Sequence, residues 1–246
     1  MRFIDSHLHA FIMEDEILQN LVMAGMEAAV IPSPHVLKGV ADADLVKPPR
    51  FTAEQTKLLG NIPVLLGRTG YTGEDGYELF VPAEAALKIW EGIMKLAEPL
   101  GVKPIGLAAR DSLRFEACMP LYGHEINAGI TPIEARLGFA LSLEKHFIGR
   151  DALLKQKLEG PERVLVGFEM VERGVAREHY PVWKDGKEVG HVTSGMFAPT
   201  LDRYLGMALL PKELSALGTE IDILIRNKPL KAKVVKRPFY IPAYRR

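Results

Sequence analysis

From residue 164 onward the chain consists of short apolar runs separated by turn signals. The runs lie at 164–168, 189–193, 221–225 and 232–235, with turns at 184–187 (KDGK) and Asn227-Lys228. Such strands pair antiparallel across tight turns, and closure of the sheet removes its exposed edges. The pattern predicts a small antiparallel β-barrel in this part of the chain.

Ahead of the predicted barrel, helical and strand patterns are mixed. Runs at 63–66 and 77–81 flank a Gly-rich turn and predict two strands. Pro82 and Glu84 open a helix with apolar side chains on one face, and two further helices are predicted at 107–118 and 148–159. The apolar face comprises Ala86, Ile89, Trp90, Ile93, Met94 and Ala97. We therefore expect an α+β fold, with a helix-containing domain before the barrel.

The first 34 residues carry a third pattern, a short strand, a helix over 14–25 and a second short strand, which together predict a β-α-β unit. Residues 38–52 then combine charges with a proline pair and no apolar period, the composition of a linker. We predict three regions: a β-α-β segment with its linker (1–50), a partial domain (51–145) and the barrel domain (146–246).

Charge and cysteine content exclude several classes of protein. Lys plus Arg and Asp plus Glu number 31 each, which gives no basic surface for nucleic acid. Cys118 is the single cysteine, so an internal disulfide or a cysteine-held cluster is excluded. We see no apolar run that could span a membrane and no signal-peptide pattern at the start. We expect a soluble, cytoplasmic protein with no nucleic-acid or membrane partner.

Four segments occur in an order and spacing that resemble one enzyme family. They are RTGYTGEDGYE (68–78), GLAARDSLR (106–114), MPLYGHE (119–125) and VTSG (192–195). Residues 60–246 resemble the C-terminal two-thirds of the glycine cleavage T proteins, which are aminomethyltransferases. The resemblance implies transfer of a one-carbon unit to tetrahydrofolate from an aminomethyl group on the lipoylated H protein, with release of ammonia. It implies tetrahydrofolate as cosubstrate, the H protein as partner and glycine catabolism as the setting.

A folate site needs a carboxylate for the amide-like edge of the pterin, a cation for a carbonyl or carboxylate, and aromatic walls. Glu78 and Arg110 supply the first two groups, and Tyr71 and Tyr244 are candidate walls. In the family that this chain resembles, the residues at these positions line the folate or substrate pocket. The alternatives are a solvent-facing Glu78, a tyrosine that only holds its loop, and a surface ion-pair cluster formed by Arg110 with its helical neighbours Asp111 and Arg114.

We assign no catalytic residue. The family's catalytic aspartate belongs to a stretch that no segment of this sequence matches, and neither Asp75 nor Asp111 lies in an equivalent context. We therefore expect part of the folate surface but little aminomethyl transfer from this chain alone.

The start of the chain has a separate motif, FIDSHLH, in which His7 and His9 point to one face of a strand and could share a metal ion. It resembles the first strand of TatD-type metal-dependent hydrolases, whose further ligands come from later barrel strands. Those strands are not present in residues 1–50, so we interpret the motif as a remnant or fusion and expect no bound metal. The alternative is that His7 and His9 are two ordinary polar residues near the end of a strand. A metal-dependent hydrolase and a non-catalytic folate-binding module remain the alternative functions.

Overall fold

A computed structural model describes residues 62, 65–67, 70–74, 78–97, 99 and 101–241 of the 246-residue chain. The chain divides into two compact units, 1–107 and 108–246, and each is described by itself. The β-α-β segment predicted for residues 1–34 and the linker after it lie outside the described residues. The α+β class and the barrel are both confirmed.

The first unit contains a β-hairpin followed by a helix. Strands β1 (Leu65–Gly67) and β2 (Glu78–Phe80) pair antiparallel. A 3₁₀ turn (Ala83–Ala85) leads into α1 (Ala86–Ala97), as the Pro82 and Glu84 signals predict. The predicted apolar face is only partly covered: Ile89 is 4% exposed whereas Trp90 is 52% exposed.

Helices α2 (Leu107–Glu116) and α3 (Arg150–Glu159) precede the barrel, and a 3₁₀ turn (Gly138–Ala140) lies between them. All but the first residue of α2 belong to the second unit. Its last three residues, Arg114 to Glu116, are buried. Helix α3 buries none of its residues. It is therefore α2 whose C-terminal turn belongs to the core of this unit.

Six antiparallel strands form a closed barrel. They are β3 (Arg163–Met170), β4 (Pro181–Lys184), β5 (Lys187–Ala198), β6 (Arg203–Pro211), β7 (Glu220–Ile225) and β8 (Lys228–Val235). The order around the barrel is β3-β6-β5-β4-β7-β8, and β8 returns to pair with β3. The first predicted turn is present as a tight hairpin loop with left-handed Asp185 and Gly186. The second lies one residue earlier than predicted, at left-handed Arg226 and Asn227, because Lys228 already begins β8.

The barrel buries side chains on two sides of its wall. Alternate residues of β3, including Val164, Val166 and Phe168, belong to the large apolar core. The residue between the first two, Leu165, belongs instead to a second cluster that contains Phe115 of α2. Because successive side chains of a strand point to opposite faces, one face of β3 packs into the barrel and the other against α2.

The sequence patterns did not predict two of the strands, β4 and β6. Strand β6 reads RYLGMALLP, and its six residues from Leu205 to Leu210 are all buried. A strand buried on both faces lacks the alternation of apolar and polar residues that reveals half-buried strands. The position of β6 between β3 and β5 explains its continuous apolar character.

Candidate functional site

Glu78 follows the Gly-rich turn in the first unit. It is the first residue of β2 and pairs with Gly67 of β1. Its side chain is half-buried, and its Oε2 atom is buried. Within the turn, Gly73 has a positive φ of 79°, a conformation that glycine adopts without steric cost, and Tyr71 is half-buried. The turn thus brings a carboxylate to the start of a strand and out of full contact with water.

Arg110 lies in the second unit, on α2, and its side chain is half-buried. Tyr71 and Glu78 belong to the first unit. Tyr244, His7 and His9 lie outside the described residues. The assignment of these five side chains with Arg110 to folate or metal binding therefore stays a prediction.

One turn after Arg110, the buried side chain of Arg114 is the centre of a polar network. Its Nε donates to Asp111 Oδ1 at 2.7 Å, its Nη1 donates to Glu125 Oε2 at 3.1 Å, and its Nη2 donates to Ser194 Oγ at 3.2 Å. Arg114 is 1% exposed and Glu125 is 0% exposed. The interpretation of Arg114 as part of a surface ion-pair cluster is therefore wrong, although its pairing with Asp111 is present.

Glu125 also fixes the loop that follows α2. Its Oε2 accepts a second hydrogen bond from the backbone N–H of Leu121 at 3.0 Å. Nη1 of Arg114 lies 3.4 Å from the carbonyl oxygen of Met119, which is a long contact. The helix and the loop after it are thus linked through one arginine and one carboxylate.

Three of the four motif segments meet in this network: Arg114 comes from GLAARDSLR, Glu125 from MPLYGHE and Ser194 from VTSG. A register shift in β5 between Val192 and Ser194 places a bulge within VTSG. Bulges redirect side chains, and here Thr193 and Ser194 are both buried. The bulge accounts for a serine that leaves the strand's regular alternation and reaches an arginine 80 residues earlier in the chain.

The two residues after Arg114 add further contacts with the barrel domain. Phe115 is 0% exposed and packs in the cluster with Leu165, and its ring lies 5.5 Å from that of Phe239. Glu116 Oε1 accepts the backbone N–H of Thr200 at 2.9 Å. Consecutive helical side chains point about 100° apart, so the contacts of Arg114, Phe115 and Glu116 lie on different sides of the C-terminal turn of α2.

Ser194, His124 and Glu178 lie close together and raise the question of a hydrolytic triad. Nδ1 of His124 lies 3.4 Å from Ser194 Oγ and 3.5 Å from Glu178 Oε1, so both groups approach the same nitrogen. That nitrogen also lies 2.9 Å from the carbonyl oxygen of Thr193, which can only accept. Nδ1 therefore carries a proton and cannot take one from the serine, which a triad would require.

Cys118 and His191 have pKa values shifted from their ordinary values. Burial raises the pKa of the Cys118 thiol, and Arg237 opposes that shift. A raised pKa disfavours the nucleophilic thiolate, so Cys118 is not activated. Partial burial lowers the pKa of His191, with smaller contributions from His179 and Arg163, while Glu188 acts in the opposite direction.

Among the described residues, no three His, Cys, Asp or Glu side chains are grouped so that they could hold a metal ion. None of the described helices is long and apolar enough to cross a membrane.

Two family models match the chain. The GCVT N-terminal domain matches residues 20–145, and the glycine cleavage T-protein C-terminal barrel domain matches residues 163–240. The second match contains all six barrel strands. The first begins inside the segment 1–50 that we compared with hydrolases, and nothing found here supports that resemblance. Arg114 and Glu125 lie in the first matched domain and Ser194 in the second.

Curated relatives and a solved structure agree with these matches. Aminomethyltransferases from Alkaliphilus metalliredigens and Desulfitobacterium hafniense are 46% and 52% identical to this chain, over 86% and 72% of its length. The matched region is 58% and 48% of those relatives. The glycine cleavage system aminomethyltransferase T of Bartonella henselae superimposes with a TM-score of 0.67 at 36% identity, over 71% of this chain and 49% of that one. The chain thus spans about half the length of the relatives it matches.

Proposed function

Because the chain belongs to the glycine cleavage T-protein family, we propose that it takes part in tetrahydrofolate-dependent one-carbon transfer. The donor is an aminomethyl group on the lipoylated H protein, the acceptor is tetrahydrofolate, and ammonia and methylenetetrahydrofolate are the products. The reaction takes place in the cytoplasm.

The observation that carries this proposal is the match of both family domains, which includes the segments of Glu78 and Arg110. In the proposed complex the Glu78 carboxylate accepts two parallel hydrogen bonds from the pterin ring. Partial burial supports this role because hydrogen bonds to a carboxylate strengthen as water is excluded.

Arg110 contributes the cation. Its planar guanidinium is suited to a bidentate contact with a carbonyl or carboxylate of the folate. Tyr71 and Tyr244 supply aromatic surface for the pterin or its ring-bearing tail.

No catalytic residue is proposed for the transfer itself. Asp111 is paired with Arg114 at 2.7 Å, which gives its carboxylate a structural partner. Asp75 lies outside the described residues. We therefore expect this chain, assayed alone, to bind folate but to release little ammonia from aminomethylated H protein.

Folate binding is tested with 5-formyltetrahydrofolate, a chemically stable probe, by isothermal titration calorimetry. Loss of a charge-assisted bidentate contact in Glu78→Gln should weaken binding by about tenfold or more, since such contacts contribute about 1.5–3 kcal/mol. Glu74→Gln is the matched control because Glu74 is an exposed carboxylate of the same turn. Absence of binding by the wild-type chain, or an equal loss in both variants, would overturn the proposal.

Ammonia release from aminomethylated H protein separates enzyme from binding module. Folate binding with little ammonia release agrees with our expectation for the isolated chain, whereas turnover at a rate normal for the family contradicts it.

A further inference from the structure

We propose that Arg114 is a positioning residue for folate binding, which holds α2 in the orientation that presents Arg110 to the ligand. The inference rests on the proposed function, since it assumes that Arg110 contacts the folate. Arg114 itself does not contact the ligand, because its side chain is buried among protein groups.

Arg110 and Arg114 are one helical turn apart. Residues at positions i and i+4 share a helix face, and their Cα atoms are separated by about 6 Å along the axis. Arg110 is half-buried, whereas Arg114 is only 1% exposed. One face of α2 therefore carries a side chain accessible to a ligand and, a turn later, a side chain fixed in the protein.

The guanidinium of Arg114 is fixed by groups from three parts of the second unit. Asp111 belongs to α2 itself, Glu125 belongs to the loop after it, and Ser194 belongs to the bulge in β5. A sliding or rotating α2 would break the bonds to the last two. Because Phe115 and Glu116 are held at the same level, α2 is attached to the barrel domain through its C-terminal turn.

The same turn holds the C-terminal segment of the chain. The carbonyl oxygen of Glu116 accepts the backbone N–H of Tyr240 at 2.8 Å. Tyr244, the second predicted folate contact in this unit, follows four residues later in the sequence. One attachment point thus serves the helix of Arg110 and the C-terminal segment at Tyr240.

Lysine cannot replace Arg114 in this role. The planar guanidinium of Arg114 presents several fixed N–H groups to three separate acceptors, whereas the ammonium of a lysine is a compact charge at the end of a flexible side chain. Arg114→Lys keeps the positive charge and most of the volume, so it loosens the helix and leaves the charge balance unchanged.

The test measures affinity for 5-formyltetrahydrofolate in the full chain, at a temperature where every variant is folded. Arg114→Lys should weaken binding by about tenfold, within the range for coupled neighbouring residues. Arg163→Lys is the matched control: Arg163 donates to Glu134 at 2.7 Å, a second arginine–glutamate pair remote in sequence from α2. It should change affinity by less than about twofold, since it does not hold α2.

Repeating Arg114→Lys in an Arg110→Ala background distinguishes the positioning role from a role in protein stability alone. If Arg114 acts through Arg110, its substitution should have no further effect on affinity there, although it still lowers the melting temperature. An equal loss of affinity with and without Arg110 would overturn the positioning role. If Arg114→Lys fails to fold, Ser194→Ala replaces it, with an expected loss of about threefold.

The two proposals fail in different ways. Wild-type protein that does not bind the probe overturns the proposed function and this inference with it. Wild-type protein that binds, loses affinity in Glu78→Gln, and keeps full affinity in both Arg114→Lys and Ser194→Ala overturns the positioning role alone.

Discussion

In the second unit, Arg114 pairs with Glu125 beside the barrel, and Arg203 pairs with Glu169 on the barrel surface. The side chains of the first pair are 2% and 0% exposed, and those of the second are 46% and 18% exposed. The partners are 11 residues apart in the first pair and 34 residues apart in the second. Only the first pair is buried away from water. The hydrogen bonds of a buried ion pair must offset the hydration free energy that its two charges lose.

The two pairs therefore differ in what they contribute. The buried pair fixes the position of α2 and its following loop, because separating the partners would leave two charges buried without each other; Oε1 of Glu125 is already buried without a hydrogen-bond partner. The exposed pair can separate into water at little cost, even though its Nε–Oε1 distance of 2.7 Å is shorter than the 3.1 Å contact of the buried pair. Burial, and not the donor–acceptor distance, predicts the effect of removing a partner.

The largest effect is expected for Glu125→Ala, which leaves the guanidinium of Arg114 buried without its carboxylate. We expect the free energy of unfolding to fall by about 3–5 kcal/mol. Urea denaturation followed by circular dichroism measures it. Glu169→Ala is the comparison, and a similar loss in both variants would show that burial does not separate the two pairs.

A double replacement sharpens the same comparison. Arg114→Met with Glu125→Leu removes both charges and should recover most of the stability lost in Glu125→Ala, since apolar pairs often substitute for buried ion pairs without loss. If the double variant is as unstable as the single one, the unpaired charge is not the cause.

The next effect in size concerns the contact of Arg114 with the barrel. Ser194→Ala should cost about 1–2 kcal/mol, because one buried N–H of Arg114 loses its acceptor while Asp111 and Glu125 remain. Ser215→Ala is the control, since the Ser215 hydroxyl donates to the Lys212 carbonyl at an exposed site. Equal losses in the two serine variants would contradict the special role of the bulge.

Local sequence patterns predicted the barrel but not the hydrogen-bond network around Arg114. Tight turns such as Asp185-Gly186 are local signals, and they located the hairpins correctly. The Arg114–Ser194 contact joins residues 80 positions apart, across a bulge that no local pattern predicts. The motif segments contained the right residues, yet the i, i+3 spacing of Asp111 and Arg114 favoured a surface pair because periodicity reports local neighbours only.

The exposed pair should show a smaller effect that depends on salt. Glu169→Ala is expected to cost about 0.2–1 kcal/mol at low ionic strength and less in 1 M NaCl, where the screening length falls to about 3 Å. Arg203 lowers the pKa of Glu169 through its hydrogen bond, which is consistent with a real attraction. The loss in Glu125→Ala should persist in 1 M NaCl, because buried charges are screened much less. A persistent loss in Glu169→Ala would contradict this distinction.

The smallest effect is expected at His191, whose side chain is half-buried. Its pKa in the folded protein lies below the unfolded value of about 6.5, chiefly because of partial burial. The unfolded chain therefore binds more protons as pH falls below 6.5, and stability decreases in that direction. Solvent screening limits the effect to less than about 1 kcal/mol. Urea denaturation at pH 7 and pH 5 should show a smaller difference for His191→Asn than for wild type, with the exposed His146→Asn as control. A larger difference in His191→Asn would reverse the sign and contradict the assignment.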